Sequence, residues 1–480
     1  MSVESLPGAP QISALFPPAE ERARLDNVLT HQLAQAHERV ILGAVAPRLD
    51  QDAFRHTLAG FDFAASRPLD ELLTWVIAQM EHGVTQVTHP RYLGLFNPAP
   101  TFPAQCADRI AAAFNPQLAS ATTSPAAVEI EAHVIRSVAR RAGLPVEAAG
   151  HFTSGGAEAN YTALLCALTR AEPGYATNGA RAFAGPPVFY TSTDCHLAWL
   201  KIAHQAGIGR SALRLVATDG TGRMSLDALL DAITADLAKG CVPIMIVATA
   251  GTTAAGMVDP LLDCAEIARR FDLWYHVDAA WGGALIASDR LRGALGGIDR
   301  ADSVTIDAHK WFATTMGCGM FITAHPAVLS TVFQVSTSFM PSNAVSLDPY
   351  VTSVQWSRRF LGLRLFLSLA SGGWAGYGAH VEQSIALAAL LRDCLVARGW
   401  HMANDPALAV LCAEPPLGSG EVRDVVGRVL ASGRAWVSAA RFERRDVVRA
   451  CVTHGETTRE DIVEVADAMQ AACRTSGSAG

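Results

Sequence analysis

The stretch IMIVATAGTTAAGMVDPLLDCAEIARRFDLWYHVDAAWGG, residues 244–283, alternates short apolar runs with a helical pattern. Ile244–Ala250 and Leu273–Val277 are runs typical of buried strands, and Pro260–Arg270 between them has helical spacing. A strand, a crossover helix and a second strand at this spacing predict parallel pairing in a sheet that is covered on both faces. The stretch therefore predicts an α/β fold.

The alternation continues on both sides of this stretch, and the whole chain divides into three expected parts. Further strands are predicted at Pro187–Tyr190, Leu213–Ala217 and Ser303–Ile306, and a further helix at Ser225–Lys239. Outside this region, apolar spacing predicts helices at about 20–45, 124–144, Glu382–Arg398 and Thr458–Ala472, after an irregular start over residues 1–20. The expected parts are a helical segment at 1–100, a large sheet domain at 101–375 and a small α+β domain at 376–480.

The composition excludes several classes of protein. The chain has 480 residues, 50% of them hydrophobic, with a formal net charge of -7, which argues against a nucleic-acid binder because such proteins usually present a basic face. Its ten cysteines form no CxxC pair, which predicts reduced thiols rather than a disulfide framework, and no metal site is expected. The sequence shows neither a signal peptide nor a run of about 18 apolar residues, so a soluble cytoplasmic protein without a membrane segment is expected.

Lysine is scarce, which narrows the search for a reactive amine. Of the 38 Lys and Arg residues, only Lys201, Lys239 and Lys310 are lysines. A GC-rich genome would produce the same bias, but arginine stays protonated and cannot act as a neutral amine nucleophile. Lys310 follows a β-branched strand in SVTIDAHKWF, and ligand chemistry in open α/β sheets collects at strand ends. Its neighbours His309 and Trp311 make a plain solvated lysine a weaker interpretation.

Asp278 closes the apolar strand in LWYHVDAAWGG and is followed by small residues that let a flat ligand approach the backbone. A carboxylate at this place, beside a pyridine ring, would keep the ring nitrogen protonated by charge pairing. The protonated ring would then be a strong electron sink for a carbanion. The alternative is a structural role as a helix N-cap, which is common for aspartate.

Three further motifs also lie at the ends of predicted elements. Thr153–Asn160 (TSGGAEAN) leads into a helix, whose free backbone N–H groups form a phosphate site, and no Gly-Lys-Ser/Thr follows that would make it a nucleoside-triphosphate loop. His196, in TSTDCHLAW, follows a strand and could lie flat on an aromatic cofactor, although a single histidine is more often only a satisfied polar residue. The hydroxyl groups of Thr252 and Thr253 could bond a ring oxygen or a carboxylate.

The motifs occur in the order TSGGAEAN, the His196 segment, AGTT, HVDAAWGG and DAHKW, and in this order they resemble the group II pyridoxal-phosphate-dependent amino-acid decarboxylases. That family includes the aromatic L-amino-acid, histidine, glutamate and diaminobutyrate decarboxylases. The resemblance runs from about His89 (HPRYLG) to the VTHGETT stretch and so covers most of the chain. HVDAAWGG followed by HKW is specific to this family, whereas the Gly-Gly loop alone is not.

The resemblance implies a fold-type I transferase-like architecture, pyridoxal 5'-phosphate as the cofactor, and a homodimer with its active site at the interface. The N-terminal helices would wrap around the partner. Lys310 would be the Schiff-base lysine, Asp278 would partner the pyridine nitrogen, and His196 would stack on the ring. The remaining cofactor contacts implied by the matching motifs are Thr253 beside the ring and Gly155, Gly156, Ala157 and His309 at the phosphate.

The reaction implied is decarboxylation of an L-amino acid to the amine and CO2, and two departures from the family pattern bear on it. Asp307 stands where many animal members have asparagine, and its carboxylate would repel phosphate, so no phosphate contact is expected from it. An ungapped count from Lys310 places Phe339 where decarboxylases carry a proton-donating loop tyrosine. In the family, phenylalanine there is associated with aldehyde synthases, which decarboxylate and then deaminate oxidatively with O2; this is the alternative function.

The substrate is indicated only weakly. The segment around Phe96 and Phe102 offers apolar and aromatic surface with little charge, which favours an aromatic or apolar amino acid over glutamate. Gln117 and Ala119 lie nearby in the sequence and would instead leave room for something larger. Arg449 matches a C-terminal arginine near the site in some family members, with a structural role as the alternative.

Overall fold

The computed structural model describes residues 9–333, 335 and 348–473. Its helices are α1 (Ala9–Leu15), α2 (Ala19–Leu42), α3 (Gln51–Ala59), α4 (Leu69–Gly83), α5 (Phe102–Phe114), α6 (Pro125–Arg141), α7 (Gly156–Ala171), α8 (Tyr175–Asn178), α9 (Ala198–Gln205), α10 (Leu226–Ala238), α11 (Leu261–Arg270), α12 (Ala327–Phe333), α13 (Gly362–Val396), α14 (Val422–Ala431) and α15 (Arg459–Ala472). Its strands are β1 (Ala149–Thr153), β2 (Pro187–Ser192), β3 (Leu213–Val216), β4 (Val242–Thr249), β5 (Trp274–Asp278), β6 (Ser303–Asp307), β7 (Gly319–Thr323), β8 (His401–Met402), β9 (Val410–Glu414), β10 (Ser438–Phe442) and β11 (Arg445–Cys451).

A seven-stranded sheet with the order β1-β7-β6-β5-β4-β2-β3 forms the centre of the large domain. The pairings from β6 through β5, β4 and β2 to β3 are parallel, and β7 runs antiparallel to both of its neighbours. A second sheet, β10-β11-β9-β8, is antiparallel and belongs to the C-terminal part. The predicted α/β class with a mainly parallel sheet is confirmed.

Helices cover both faces of the large sheet, and the strands show why. Met245 and Val247 of β4 pack with α7 and α9 on one face, while Ile246 and Ala248 pack with α6, α10, α11 and α13 on the other. A strand that is buried on both faces must be apolar at successive positions, which is the pattern of a parallel sheet between helical layers. The continuous apolar run in β4 is therefore a direct consequence of the fold.

The structure departs from the sequence-based expectations in several elements. The expected irregular start contains α1, and the long C-terminal helix begins at Gly362 rather than Glu382 and kinks at Gly373, where φ is 64°. The domain boundary expected between residues 375 and 376 lies inside this helix. The final helix was predicted correctly, and it begins after Thr458, which caps it in a reciprocal pair with Asp461.

Among the described residues, no helix is both long and apolar enough to cross a bilayer. The cytoplasmic location stays a prediction.

His151 on β1 is a buried histidine in an apolar environment. Its two ring nitrogens have no hydrogen-bond partner among the described residues, and its ring lies 5.7 Å from that of Phe321. Burial, together with the nearby Arg358 cation, lowers the pKa of His151 to about 3, against an ordinary value of about 6.5. Below pH ~6.5 the unfolded chain therefore binds a proton at His151 that the folded chain does not bind. As a result, the free energy of unfolding decreases as the pH falls from ~6.5 towards 3.

We expect His151→Leu to keep or raise the free energy of unfolding at pH 7 and to weaken its decline between pH 6.5 and 4. The change removes two unpaired buried nitrogens, and leaving one such group unpaired costs about 1–3 kcal/mol. Urea unfolding across this pH range would measure both effects. His133→Leu, on the exposed face of α6, is the matched control. Equal pH slopes for His151→Leu and the unchanged protein would contradict the prediction.

Candidate active site

Lys310 lies just beyond the carboxyl end of β6, as expected from the sequence. Its Nζ is 2.9 Å from Asp307 Oδ2, and its side chain is 22% exposed, so the amine can be reached from outside. The other two lysines, Lys201 and Lys239, are exposed on the helical layers. Lys310 is thus the one lysine among the described residues that stands at a strand end of the parallel sheet.

Asp278 ends β5, the strand next to β6, and is 4% exposed. In the parallel register it pairs with Thr305 of β6, two residues before Asp307, so the carboxylate and Lys310 lie at neighbouring strand ends. Asn160 Nδ2 donates a hydrogen bond of 2.8 Å to Asp278 Oδ2. Asp278 is not a helix N-cap, because the 3₁₀ turn Gly282–Ala287 that follows begins only after Trp281.

The glycine loop and His309 meet at the N-terminus of α7. A Cβ atom on Gly155 would lie 3.4 Å from the His309 ring, and a Cβ on Gly156 would lie 2.9 Å from Asp307 Oδ2. The missing side chains therefore keep a small cradle open in front of the helix. Helix α7 has 16 residues, and the N–H groups of its first turn attract an anion. This arrangement fits the phosphate of the cofactor expected from the sequence, with the amine and the carboxylate at the adjacent strand ends.

Asp307 is the group in the cradle that does not suit a phosphate. It is 2% exposed, and its Oδ1 atom has no hydrogen-bond partner among the described residues. Its Oδ2 atom pairs with Lys310 Nζ and lies 3.9 Å from His309 Nε2. The carboxylate thus has a cationic partner while Lys310 is a free ammonium group, and it loses that partner when the amine is used to hold a cofactor.

We expect Asp307→Asn to strengthen the binding of pyridoxal phosphate by about tenfold. Two unit charges 4 Å apart interact by about 4 kcal/mol at an effective dielectric constant of 20, and a tenfold gain requires only part of that repulsion to be removed. The dissociation constant can be measured by the absorbance of the bound cofactor. Asp302→Asn is the matched control, because Asp302 precedes the opposite end of β6. Unchanged or weaker binding in Asp307→Asn would contradict this prediction.

His196 and Thr253 follow β2 and β4, which are neighbouring strands of the sheet. Both residues are exposed in the single chain. The His196 Nδ1 atom accepts the Ala198 N–H at 3.1 Å, so its Nε2 edge and ring faces are directed away from this turn contact. The carbonyl oxygen of Thr253 accepts a hydrogen bond of 2.8 Å from Arg449 Nε. Their positions agree with the predicted cofactor contacts, which stay predictions.

Arg449 is a buried cation beside this strand edge. It is 3% exposed, and besides Thr253 it donates to the carbonyl oxygen of Gly94. Its Nη2 atom is buried without a hydrogen-bond partner among the described residues, and no carboxylate there forms an ion pair with it. Its guanidinium lies 4.5 Å from the Phe96 ring centroid. The centroid of the Phe96 ring lies 6.0 Å from Lys310 Nζ. The same ring stacks on Trp281, with 4.4 Å between the two ring centroids.

Of the other two residues singled out for substrate or product specificity, only Phe102 belongs to the described residues. Phe102 is 74% exposed at the start of α5 and lines a separate cavity of about 390 Å³ together with Tyr377 and His380. Phe339 lies outside the described residues. The sequence analysis did not assign a role to Trp281 or Asn160, although both lie inside the quoted motifs. Their positions could have indicated one, because Trp281 follows the strand that ends in Asp278 and Asn160 lies one helical turn after the glycine loop.

The chain is similar to known proteins in sequence and in fold. A family model described as the pyridoxal-dependent decarboxylase conserved domain matches residues 63–413. An L-2,4-diaminobutyrate decarboxylase of Rhizobium meliloti (strain 1021) is 30% identical over 417 residues, which are 82% of each chain. An aromatic-L-amino-acid decarboxylase of Bacillus atrophaeus is 27% identical over 435 residues, covering 88% of this chain and 89% of that one.

Solved structures agree in fold. Mouse CSAD in its apo form has a TM-score of 0.89 at 23% identity, covering 95% of this chain and 100% of that chain. Oryza sativa TDC, solved with PLP and tryptamine, also has a TM-score of 0.89, at 22% identity, and the match covers 95% of this chain and 98% of that one.

Among the described residues, no group of three or more His, Cys, Asp or Glu side chains is arranged to hold a metal ion.

Proposed function

The chain belongs to the pyridoxal-dependent decarboxylase family and uses pyridoxal phosphate as its cofactor, and from this premise we propose that it converts an aromatic or apolar L-amino acid into the amine and CO2. Amino-acid decarboxylation is the activity named for both of the sequence relatives reported above. The preference for an aromatic or apolar substrate side chain rests on one observation, the stacking of Phe96 on Trp281 beside Lys310.

Arg449 supports this choice through its charge. A buried guanidinium with a free Nη2 atom is suited to a substrate carboxylate, because charge-assisted hydrogen bonds are stronger than neutral ones. The same cation would repel a second ammonium group, which disfavours diaminobutyrate. Once Arg449 holds the α-carboxylate, no second unpaired arginine next to Phe96 is available, among the described residues, for a side-chain carboxylate such as that of glutamate.

The roles of the other residues follow from their positions. When bound, pyridoxal phosphate supplies the electron sink that takes up the electron pair released from the Cα–carboxylate bond. Lys310 Nζ is the amine that would hold it covalently, and Asp278 would keep a proton on its ring nitrogen by charge pairing. His196 would pack on its ring beside Thr253. The residues that would hold its phosphate are Gly155, Gly156, Ala157 and His309.

Oxidative conversion to an aldehyde is the second candidate product. It is favoured by the ungapped count that places phenylalanine at position 339 in place of the loop tyrosine. A 4-hydroxyphenylacetaldehyde synthase of Rhodiola rosea is among the relatives, 28% identical over 357 residues and 72% of each chain. Decarboxylation is common to both candidates, and only the fate of the resulting amine differs.

A substrate panel tests the proposal. The purified enzyme with pyridoxal phosphate is given single L-amino acids, including aromatic, aliphatic, acidic and diamino types, and CO2, amine, aldehyde, ammonia and peroxide are measured. Amine from an aromatic or apolar substrate supports the main proposal. Aldehyde with ammonia and peroxide identifies the second candidate. Preference for diaminobutyrate or glutamate would contradict the assignment of Phe96 and Arg449 to the substrate site.

The homodimer is proposed on the exposure of the N-terminal helices. Helices α3 and α4 have no buried residue, and Val76 and Met80 of α4 are 45% and 50% exposed. Leu33 and Leu42 of α2 are 51% and 87% exposed, so apolar surface continues along this segment. Exposed apolar surface of this extent is typical of a protein–protein interface. Sedimentation should give the mass of a dimer, and a fully active monomer would contradict it.

A further inference from the structure

Three side chains of β5 share the face of the sheet that α7 covers. Trp274, His276 and Asp278 alternate along the strand, so they point the same way. Trp274 is 1% exposed, and His276 is fully buried. On the neighbouring strand, Ser303 pairs directly with His276 in the parallel register. Polar groups therefore form a continuous line inside the core, ending at the carboxylate expected to face the cofactor nitrogen.

Four hydrogen bonds join this line from end to end. Trp274 Nε1 lies 2.8 Å from Ser303 Oγ, and Ser303 Oγ lies 2.8 Å from His276 Nδ1. His276 Nε2 lies 3.1 Å from Asn160 Oδ1, and Asn160 Nδ2 lies 2.8 Å from Asp278 Oδ2. All four bonds are buried, where hydrogen bonds are electrostatically stronger and polarise one another.

The two ends of the chain determine the direction of three of the four bonds. The indole N–H of Trp274 can only donate, and an ionised carboxylate can only accept. Because Asp278 must receive the amide N–H of Asn160, the amide oxygen faces His276, whose Nε2 must then carry the hydrogen.

The other half of the chain follows from the charge of the histidine. Burial lowers the pKa of His276 to about 4, so the ring is neutral at pH 7 and carries a single N–H. Its Nδ1 is then an acceptor and takes the hydroxyl hydrogen of Ser303, whose oxygen accepts the indole N–H. Every donor in the chain thus points towards Asp278.

We infer that Asn160, His276 and Ser303 are positioning residues that act as a one-way hydrogen-bond chain, fixing the orientation and the negative charge of Asp278. The Asn160 amide occupies Oδ2, and Oδ1 accepts one longer bond of 3.3 Å from the Ala280 N–H. Each oxygen thus accepts one bond, and because the bond to Oδ1 is the longer one, we assign Oδ1 to the ring nitrogen of the cofactor. The inference rests on cofactor binding and not on which amino acid is the substrate.

If the network had only a structural role, its hydrogen bonds would have to be satisfied, but cofactor binding would not depend on whether Asn160 donates to Asp278. Asn160→Asp separates the two roles, because it keeps the size of the side chain and replaces the terminal donor by an acceptor. Two carboxylates would then face each other and share a proton, which dilutes the charge of Asp278. Asn404→Asp is the matched control: Asn404 is also buried and bonded on both sides of its amide, but its partners are backbone groups of Ala255, Val410 and Cys412 and not a carboxylate.

The experiment measures cofactor affinity and the histidine tautomer, both without substrate. Asn160→Asp should weaken pyridoxal phosphate binding by about 10- to 100-fold, the loss expected for a hydrogen bond to a charged group, while Asn404→Asp leaves affinity unchanged. In ¹⁵N-histidine-labelled enzyme, His276, assigned by comparison with His276→Gln, should be protonated at Nε2 and unprotonated at Nδ1. The tautomer is measured on the unsubstituted enzyme, so it decides the question even if Asn160→Asp does not fold.

Two results would overturn the inference: an Nδ1-protonated or charged His276 at pH 7, or unaltered cofactor affinity in Asn160→Asp. A failure of the proposed substrate or product leaves both measurements unaffected, so the two failures can be told apart.

Discussion

Lys310→Ala is expected to abolish covalent attachment of pyridoxal phosphate and to reduce decarboxylation by at least about 10⁴-fold, the upper range for loss of a general acid–base group. Lys310 is the lysine at the carboxyl end of a parallel strand among the described residues, whereas Lys201 lies exposed on α9 and Lys239 lies exposed just after α10, so neither can replace it. Alanine also frees Asp307 from its ion pair, so the cradle becomes more anionic and holds phosphate less well.

The measurement combines the absorbance of the bound cofactor with turnover of the best substrate. Lys201→Ala and Lys239→Ala are matched controls, because they remove the same amine from exposed positions, and both should keep the yellow colour and the activity. A Lys310→Ala protein that keeps the visible absorbance of the covalently bound cofactor would show that another group holds it.

Asp278→Asn is expected to reduce turnover by about 10²–10³-fold, the range observed when one preorganised electrostatic group is removed from an active site. Asparagine has the size of aspartate and its oxygen can still accept the Asn160 N–H, so the core is preserved. It carries no negative charge, so the ring nitrogen loses the group that favours its protonated form. Cofactor binding should weaken at the same time.

Asp259→Asn is the control for this change. Asp259 is also a buried carboxylate, 2% exposed, and accepts the backbone N–H groups of Thr249 and Met224. Burial raises the pKa of Asp259 to about 6, so losing the charge costs less there, and asparagine gives up one of the two backbone hydrogen bonds away from the cofactor site. Turnover and spectrum should stay near normal in Asp259→Asn. If Asp278→Asn behaves like this control, Asp278 is not the partner of the ring nitrogen.

The parallel part of the sheet could be predicted from the local pattern of apolar and turn residues in the sequence. Strands β2 to β6 were predictable because each is a short segment rich in apolar residues and bounded by turns, a pattern that burial on both faces favours in β2, β4, β5 and β6. Their order along the chain also placed His196, Thr253, Asp278 and Lys310 at carboxyl ends, where the topology of parallel strands gathers them at one edge. The glycine loop was readable for a similar reason, since it leads directly into a helix.

The antiparallel strands were not predictable in the same way. In β1, AGHFT contains glycine and a buried histidine, and its pairing with β7 joins segments about 170 residues apart, as in Ala149 with Thr323. The early start of α13 was missed because its glycines and serines, with the kink at Gly373, obscure helical periodicity. Both cases depend on packing partners that are distant in sequence.

By itself, the sequence determined which residue types stand at the ends of the parallel strands and therefore the cofactor chemistry, because backbone periodicity and turn residues act locally. Only the tertiary structure decided which side chains meet: Asp307 with Lys310, Arg449 with Phe96, and Asn160 with both His276 and Asp278. The partners in the last two contacts come from elements far apart along the chain, and their meeting follows from how helices and sheets pack, which local pattern does not encode.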